Sequence, residues 1–131
     1  MPELPEVQTV VNYIQSELIG QKVIKLKPIW PKVFDNFTNN DFFSKVNNPK
    51  IKKVWRRAKF IIIEFENLIL AIHLRMTGKL YFSKKNLPKH ASATIQLANK
   101  KILIFEDVRK FGRFYLYDNL DIINKKHGYE P

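Results

Sequence analysis

The stretch KFIIIEFENLILAIHLR, Lys59–Arg75, decides the fold of this chain. It holds two short runs of almost entirely apolar residues, separated by Glu66-Asn67, a pair that favours a turn. Short apolar runs bounded by turn residues are typical of strands that are covered on both faces. The stretch therefore predicts two strands, Lys59–Glu66 and Leu68–Arg75, that are joined by this turn and covered on both faces.

The strand pattern continues on both sides of this stretch, and the regular spacing of short strands predicts a sandwich of antiparallel sheets. Residues 5–19 instead place apolar side chains at helical spacing and predict an amphipathic helix. A short helix capped by Asn40 and one helical turn within Asp118–Lys126 complete the prediction. We expect one mainly β domain, a two-layer antiparallel sandwich with flanking helices and a long N-terminal α-helix. The other predicted strands are Lys22–Ile29, Lys52–Arg57, Lys79–Phe82, Ala93–Ala98, Ile102–Glu106 and Arg113–Tyr117.

The charge of the chain is strongly positive and unevenly distributed. Lys and Arg number 23 against 12 Asp and Glu, which gives a net charge of +11. Residues 1–21 contain no base, whereas residues 22–59 hold eleven Lys and Arg against Asp35 and Asp41. This basic block favours a polyanionic partner, nucleic acid above all, because neutralised phosphates release counterions. Solvated basic faces of no special function are the alternative.

The absence of cysteine excludes disulfides and thiolate metal sites within these 131 residues. We expect no metal site and no cofactor in this part of the protein. Neither a membrane-spanning apolar run nor a secretory signal pattern is present, so we expect no membrane contact and a cytoplasmic location.

The N-terminus, Met1-Pro2-Glu3, offers catalytic groups. If Met1 is removed, Pro2 becomes a secondary amine that is partly unprotonated at neutral pH and can attack an electrophilic carbon. Glu3 is one residue away and could donate a proton to a departing or ring-opening oxygen. An amine beside an acid suits imine chemistry on a sugar, although Pro5 and Glu6 also fit an ordinary helix start.

Two further segments lie at predicted strand ends, where loops carry function on a rigid frame. Lys59 follows two arginines and could hold a phosphate or transfer a proton, or the three cations could protect a strand edge. His73 stands on an apolar strand, where a core role is the ordinary interpretation. Met76, before a Thr-Gly turn, is a candidate wedge between stacked bases.

The segment Asp107–Arg113, DVRKFGR, interleaves Phe111 with three cations, one of which is Arg109, and adds a glycine for a tight turn. This combination is suited to nucleic acid, whereas a buried Phe in a hairpin is the simpler alternative. Lys89-His90 is a weaker candidate for a phosphate or base contact, and a solvated loop explains it equally well.

Five segments occur in the order seen in bacterial formamidopyrimidine-DNA glycosylase, and the chain resembles that family along its whole length. The first and last of the five are the most specific. The segments are Pro2–Val7, Arg57–Lys59, His73–Gly78, Lys89-His90 and Asp107–Arg113.

The resemblance implies a DNA base-excision repair enzyme, a monomer that acts on double-stranded DNA, removes oxidised purines such as 8-oxoguanine and then cleaves the abasic strand by β,δ-elimination. By motif, Pro2 would form a Schiff base at C1′ while Glu3 protonates the sugar oxygen. Lys59 would contact phosphate and assist β-elimination.

The remaining matched residues resemble the family's DNA-binding positions. His73 would contact another phosphate, and His90 and Arg109 match DNA-binding positions. Met76, Arg109 and Phe111 would fill the gap left by the everted nucleotide, which offsets the few kcal/mol that base flipping costs.

The resemblance also implies sequence beyond these residues. The family continues into a helix-two-turn-helix segment and a four-cysteine zinc finger, so we expect one structural zinc there and expect residues 128–131 to begin the linker. Residues 1–127 would form the catalytic sandwich domain, with little or no turnover by itself. Ala58 stands where the family often has glycine, a change that we expect the loop to absorb.

Two other interpretations remain open from the sequence. An enzyme like endonuclease VIII would act on oxidised pyrimidines, although Leu4 and Val7 are more similar to the purine glycosylase. A DNA-binding module without an active amine would keep the charge and lack the catalysis.

Overall fold

The computed structural model of the protein describes residues 3–83 and 87–127. Two predictions, on Pro2 and on the linker at residues 128–131, lie outside these residues. The elements along the chain are α1 (Leu4–Leu18), β1 (Val23–Pro28), α2 (Asn39–Lys45), β2 (Lys53–Arg57), β3 (Phe60–Phe65), β4 (Leu68–His73), β5 (Gly78–Phe82), β6 (Ala91–Leu97), β7 (Ile102–Asp107), β8 (Arg113–Tyr117) and α3 (Leu120–His127).

The strands form two four-stranded antiparallel sheets. Sheet I has the order β1-β6-β7-β5, and sheet II has the order β2-β3-β4-β8. The two strands predicted from Lys59–Arg75 are the central pair of sheet II, with Phe60 opposite His73 and Phe65 opposite Leu68. The predicted sandwich with a long N-terminal helix is confirmed.

The main core lies between the two sheets and includes the buried face of α1. Val7, Val11, Ile14 and Leu18 recur at helical spacing along that face. Each aliphatic side chain removed from water contributes about 1.5–3 kcal/mol, so four such residues hold the helix firmly. The position of the helix start is therefore set by the core.

A second apolar cluster covers the opposite face of sheet II. Ile62 of β3 and Ala71 of β4 belong to it, and Ile123 of α3 packs there. All three are fully buried. Strands β3 and β4 are thus covered on both faces, as their almost entirely apolar runs predicted.

The structure corrects the predicted cap of the short helix α2. The N-cap is Thr38 and not Asn40: the Thr38 side chain accepts from the Asp41 amide, and the Asp41 carboxylate accepts from the Thr38 amide. A reciprocal pair of this kind satisfies two amides at once, which a single cap at Asn40 could not do.

Candidate functional site

The candidate residues in sheet II come together where its strands end. The hydrogen-bonded register sets Arg57 opposite Phe60, Phe60 opposite His73 and His73 opposite Arg113. Lys59 lies in the turn between β2 and β3, next to this row. We call this end of the sandwich the loop edge.

Two of the three chain crossings between the sheets in the described residues also lie at the loop edge, and the third leads from β1 to β2. Residues Leu74–Gly78, here the Met76 turn, connect β4 of sheet II to β5 of sheet I. Residues Asp107–Arg113, here the Phe111 loop, return from β7 to β8. Because Gly78 pairs with Asp107, the two crossings are neighbours in space.

The arginines before Lys59 bind within the protein. Arg57 is only 5% exposed, and its guanidinium donates to the Asn124 side chain of α3. Arg56 donates to the Ala58 carbonyl at 2.9 Å, which closes the turn. Ala58 itself has a φ of +51°, in the left-handed region where glycine is favoured. Lys59 is therefore held in a defined turn by its neighbours.

His73 is half-buried, with its ring edge-on to Phe60 at a centroid distance of 4.8 Å. Its Nδ1 accepts from the Arg75 backbone amide at 3.0 Å. An Nδ1 that accepts fixes the neutral tautomer in which Nε2 carries the proton. Nε2 is then the ring nitrogen that can donate a hydrogen bond.

Met76 and Phe111 are 46% and 49% exposed. Both side chains project from the surface, so the simpler alternative of a buried Phe in a hairpin does not hold for Phe111. With Asp35, Arg75, Arg113 and Tyr115 they line a cavity of about 430 Å3. Two large apolar side chains on neighbouring crossings are the kind of groups that enter a base stack.

A second cavity, of about 480 Å3, lies beside the start of α1 and shares Met76 with the first. Glu6, Lys79 and Tyr81 are among its lining residues. Glu3 directly precedes α1 and is exposed, and its side chain makes no capping hydrogen bond. The structure thus brings the first turn of α1 next to the Met76 turn.

Tyr81 is a cavity residue that the sequence did not single out. Burial raises the pKa of its phenol to about 12, with help from the hydrogen bond that the phenol donates to Glu106. Tyr81 stays neutral and acts as a hydrogen-bond donor at physiological pH.

His90 and Arg109 lie on either side of Asp107. The His90 carbonyl accepts from the Asp107 amide at 3.0 Å, and the Arg109 amide donates to the Asp107 side chain at 3.2 Å. Asp107 is completely buried. In the sequence, Asp107 belongs to the DVRKFGR motif, where it was given no role. The available signal was a lone acid at the start of a loop that contains two basic residues and a glycine.

The basic block of residues 22–59 does not form one surface. Lys53 pairs with Glu64 at the end of sheet II opposite the loop edge, and Lys52 forms an exposed ion pair with Glu66. The cations at the loop edge come largely from later in the chain, namely Arg75, Lys79, Arg109, Lys110 and Arg113 in addition to Lys59.

Within residues 3–83 and 87–127, no three His, Asp or Glu side chains are grouped so that they could hold a metal ion. In the same part of the chain, no helix has both the length and the apolar character that crossing a bilayer requires.

Residues 1–114 match the sequence model described as the formamidopyrimidine-DNA glycosylase N-terminal domain. Proteins of that name from Protochlamydia amoebophila and Herpetosiphon aurantiacus are 42% and 38% identical, with alignments that cover all of this chain and 49% and 50% of theirs. The chain belongs to the formamidopyrimidine-DNA glycosylase family, and it spans about half the length of these relatives.

Solved structures agree with this assignment. The Lactococcus lactis Fpg in complex with DNA containing an abasic site superposes with a TM-score of 0.83 at 31% identity, covering 95% of this chain and 47% of that one. A complex of the Lactococcus lactis protein with FAPY-dG-containing DNA gives a TM-score of 0.82 at 31% identity, covering 94% of this chain and 47% of that one.

Proposed function

We propose that this chain is the N-terminal, catalytic half of a bifunctional DNA glycosylase and AP lyase that removes oxidised purines from double-stranded DNA. The observation that carries the proposal is the grouping of exposed Met76 and Phe111 with cations at the loop edge, beside the start of α1. The DNA complexes of similar structures support the same partner.

The chemistry begins at Pro2 after removal of Met1. The Pro2 nitrogen attacks C1′ of the damaged nucleoside, and the glycosidic bond breaks as the base leaves with the bonding electrons and takes up the proton that the Pro2 nitrogen loses. Glu3 protonates the sugar ring oxygen, the ring opens, and the C1′–N bond becomes an iminium. Glu3 is suited to this role because its exposed side chain is not used as a helix cap.

Strand cleavage follows from the iminium. A proton leaves C2′, the electrons form a C2′–C3′ double bond, and the 3′ phosphate departs. Lys59 contacts the phosphate and assists this elimination from its fixed turn. His73 donates from Nε2 to a second phosphate, a role supported by the hydrogen bond that its Nδ1 accepts.

The loop edge holds the DNA with the nucleotide everted. Met76, Arg109 and Phe111 fill the gap in the duplex, and His90 with Arg109 contacts the DNA. Gap filling offsets the few kcal/mol needed to unstack the base. The structural zinc that the family resemblance implies needs four cysteines, and these 131 residues contain none. We therefore propose that a zinc-finger segment beyond them binds the zinc.

Borohydride trapping of the complete protein that carries this chain tests the proposal. With the Pro2 amine exposed, duplexes containing 8-oxoguanine should give a covalent adduct that Pro2→Gly abolishes. Glu17→Gln, on α1 but far from its start, is the matched control and should trap like the native protein. Tight DNA binding without an adduct would refute catalysis and favour a binding module. An adduct formed preferentially on oxidised pyrimidines would refute the purine assignment.

A further inference from the structure

Asp107 is a completely buried carboxylate that connects the two crossings of the loop edge. Its Oδ1 accepts from the Thr77 hydroxyl in the Met76 turn and from the Arg109 amide in the Phe111 loop. Its Oδ2 accepts from the Gly112 amide at 2.7 Å. One side chain therefore holds both segments that present exposed apolar residues.

The ring of Phe105 forms a common floor beneath the two segments. A Cβ added at Gly78 would lie 2.8 Å from Phe105 Cε1, and one at Gly112 would lie 2.2 Å from Phe105 Cζ. Both backbones thus rest directly on one fully buried ring. The Met76 turn and the Phe111 loop have little room to move separately.

We propose that Asp107 is a positioning residue that makes the Met76 turn and the Phe111 loop one unit, so that Met76 and Phe111 enter the duplex together. The role in DNA rests on the proposed function. The coupling of the two segments is a property of the protein alone.

The site requires a carboxylate, because all three groups that face Asp107 donate. An amide at this position could turn its oxygen toward Gly112 and then present an N–H group to the Arg109 amide. In the opposite orientation it would present an N–H group to the Gly112 amide. In either orientation one backbone amide of the Phe111 loop faces another donor and loses its hydrogen bond. The Thr77 hydroxyl can donate or accept, so it keeps its hydrogen bond to residue 107 in both orientations. Asp107→Asn therefore loosens the Phe111 loop and leaves the Met76 turn attached.

The first experiment reads the coupling without DNA. In the complete protein, methyl-labelled methionine reports on Met76, whose NMR signal is identified as the one that Met76→Leu removes. Asp107→Asn should shift or broaden the Met76 methyl signal although the substitution acts on the other segment. Asp118→Asn, the same substitution at an exposed aspartate beyond the opposite end of β8, is the matched control and should leave the signal in place. An unchanged Met76 signal in Asp107→Asn would overturn the proposal.

The second experiment reads the consequence in DNA by a double-mutant cycle. Asp107→Asn in the complete protein should weaken binding to a duplex with an abasic-site analogue by about tenfold, the size expected for one charge-assisted hydrogen bond. In a protein that already carries Met76→Ala and Phe111→Ala, it should cause no further loss. An equal loss in both backgrounds would contradict positioning and indicate a general effect on folding.

A milder variant covers the case in which Asp107→Asn does not fold. Thr77→Val keeps the shape of the side chain but removes the hydroxyl that donates to Asp107 and accepts from the Arg109 amide at 3.4 Å. It therefore removes the hydrogen bonds that Thr77 makes to the Phe111 loop and leaves Asp107 in place. It should also act non-additively with Phe111→Ala, and additive losses would refute the coupling. Failure of borohydride trapping would refute the proposed function. The NMR experiment would still test the coupling of the two segments, because it does not depend on DNA.

Discussion

Replacing Gly112 by alanine should destabilise the protein through a single steric conflict. The new Cβ would lie 2.2 Å from Cζ and 2.9 Å from Cε2 of Phe105, where ordinary contact begins at 3.4 Å. The ring would have to retreat by roughly an ångström or more in a packed core. Phe114 packs against that ring with a centroid distance of 5.3 Å and opposes the movement.

We expect Gly112→Ala to lower the free energy of unfolding by about 2–3 kcal/mol, in the upper part of the range for overpacked cores. For a domain of this size that is a fall in Tm of roughly 6–12 °C. Urea unfolding followed by circular dichroism measures the free energy directly.

Two companion variants separate sterics from backbone conformation. Phe105→Leu makes room, so it should cost less in the Gly112→Ala background than in the native protein. Gly20 has open space around its Cβ position but a φ of +88°. Gly20→Ala should therefore cost about 1 kcal/mol that Phe105→Leu does not reduce. A Gly112→Ala protein within about 0.5 kcal/mol of the native stability would refute the close approach, since a real overlap costs at least about 1 kcal/mol.

Three other predictions follow from single features. Ala58→Gly should raise the free energy of unfolding by up to about 1 kcal/mol, because the strain relieved at the left-handed φ of residue 58 exceeds the entropy that glycine adds to the unfolded chain. A lower stability in urea unfolding would contradict this. Stability should fall as the pH rises from about 10 to 12, because the unfolded Tyr81 ionises at its ordinary pKa while the folded phenol, raised to about 12, keeps its proton. Tyr81→Phe should make that fall smaller, and an identical pH profile of Tm would show that Tyr81 does not contribute. If the loop edge binds DNA, Lys110→Gln should reduce the slope of log K for DNA binding against log[salt] by about 1. Lys53→Gln, at the opposite end of sheet II, should leave the slope unchanged. Equal slopes for the two variants would refute the assignment of the DNA to the loop edge.

The long-range organisation of the site shows where local sequence patterns stop being informative. Thr38, Asn39 and Asn40 are all N-cap residue types, and the sequence pattern alone favoured Asn40. The acid three residues after Thr38 was a usable signal for the capping box that the structure contains. In contrast, no local pattern connects Thr77 to Asp107, which are 30 residues apart and meet only because β5 pairs with β7.

By itself, the sequence determined the two covered strands, the amphipathic helix, the antiparallel sandwich and the family. These features depend on apolar periodicity and on short motifs, which act between residues near one another in the chain. The tertiary structure decided that the basic block does not form one surface, since Lys53 and Arg57 already lie at opposite ends of one strand of sheet II. It also decided that one buried carboxylate joins the Met76 turn to the Phe111 loop. Strand register sets both outcomes, because it fixes which distant residues become neighbours.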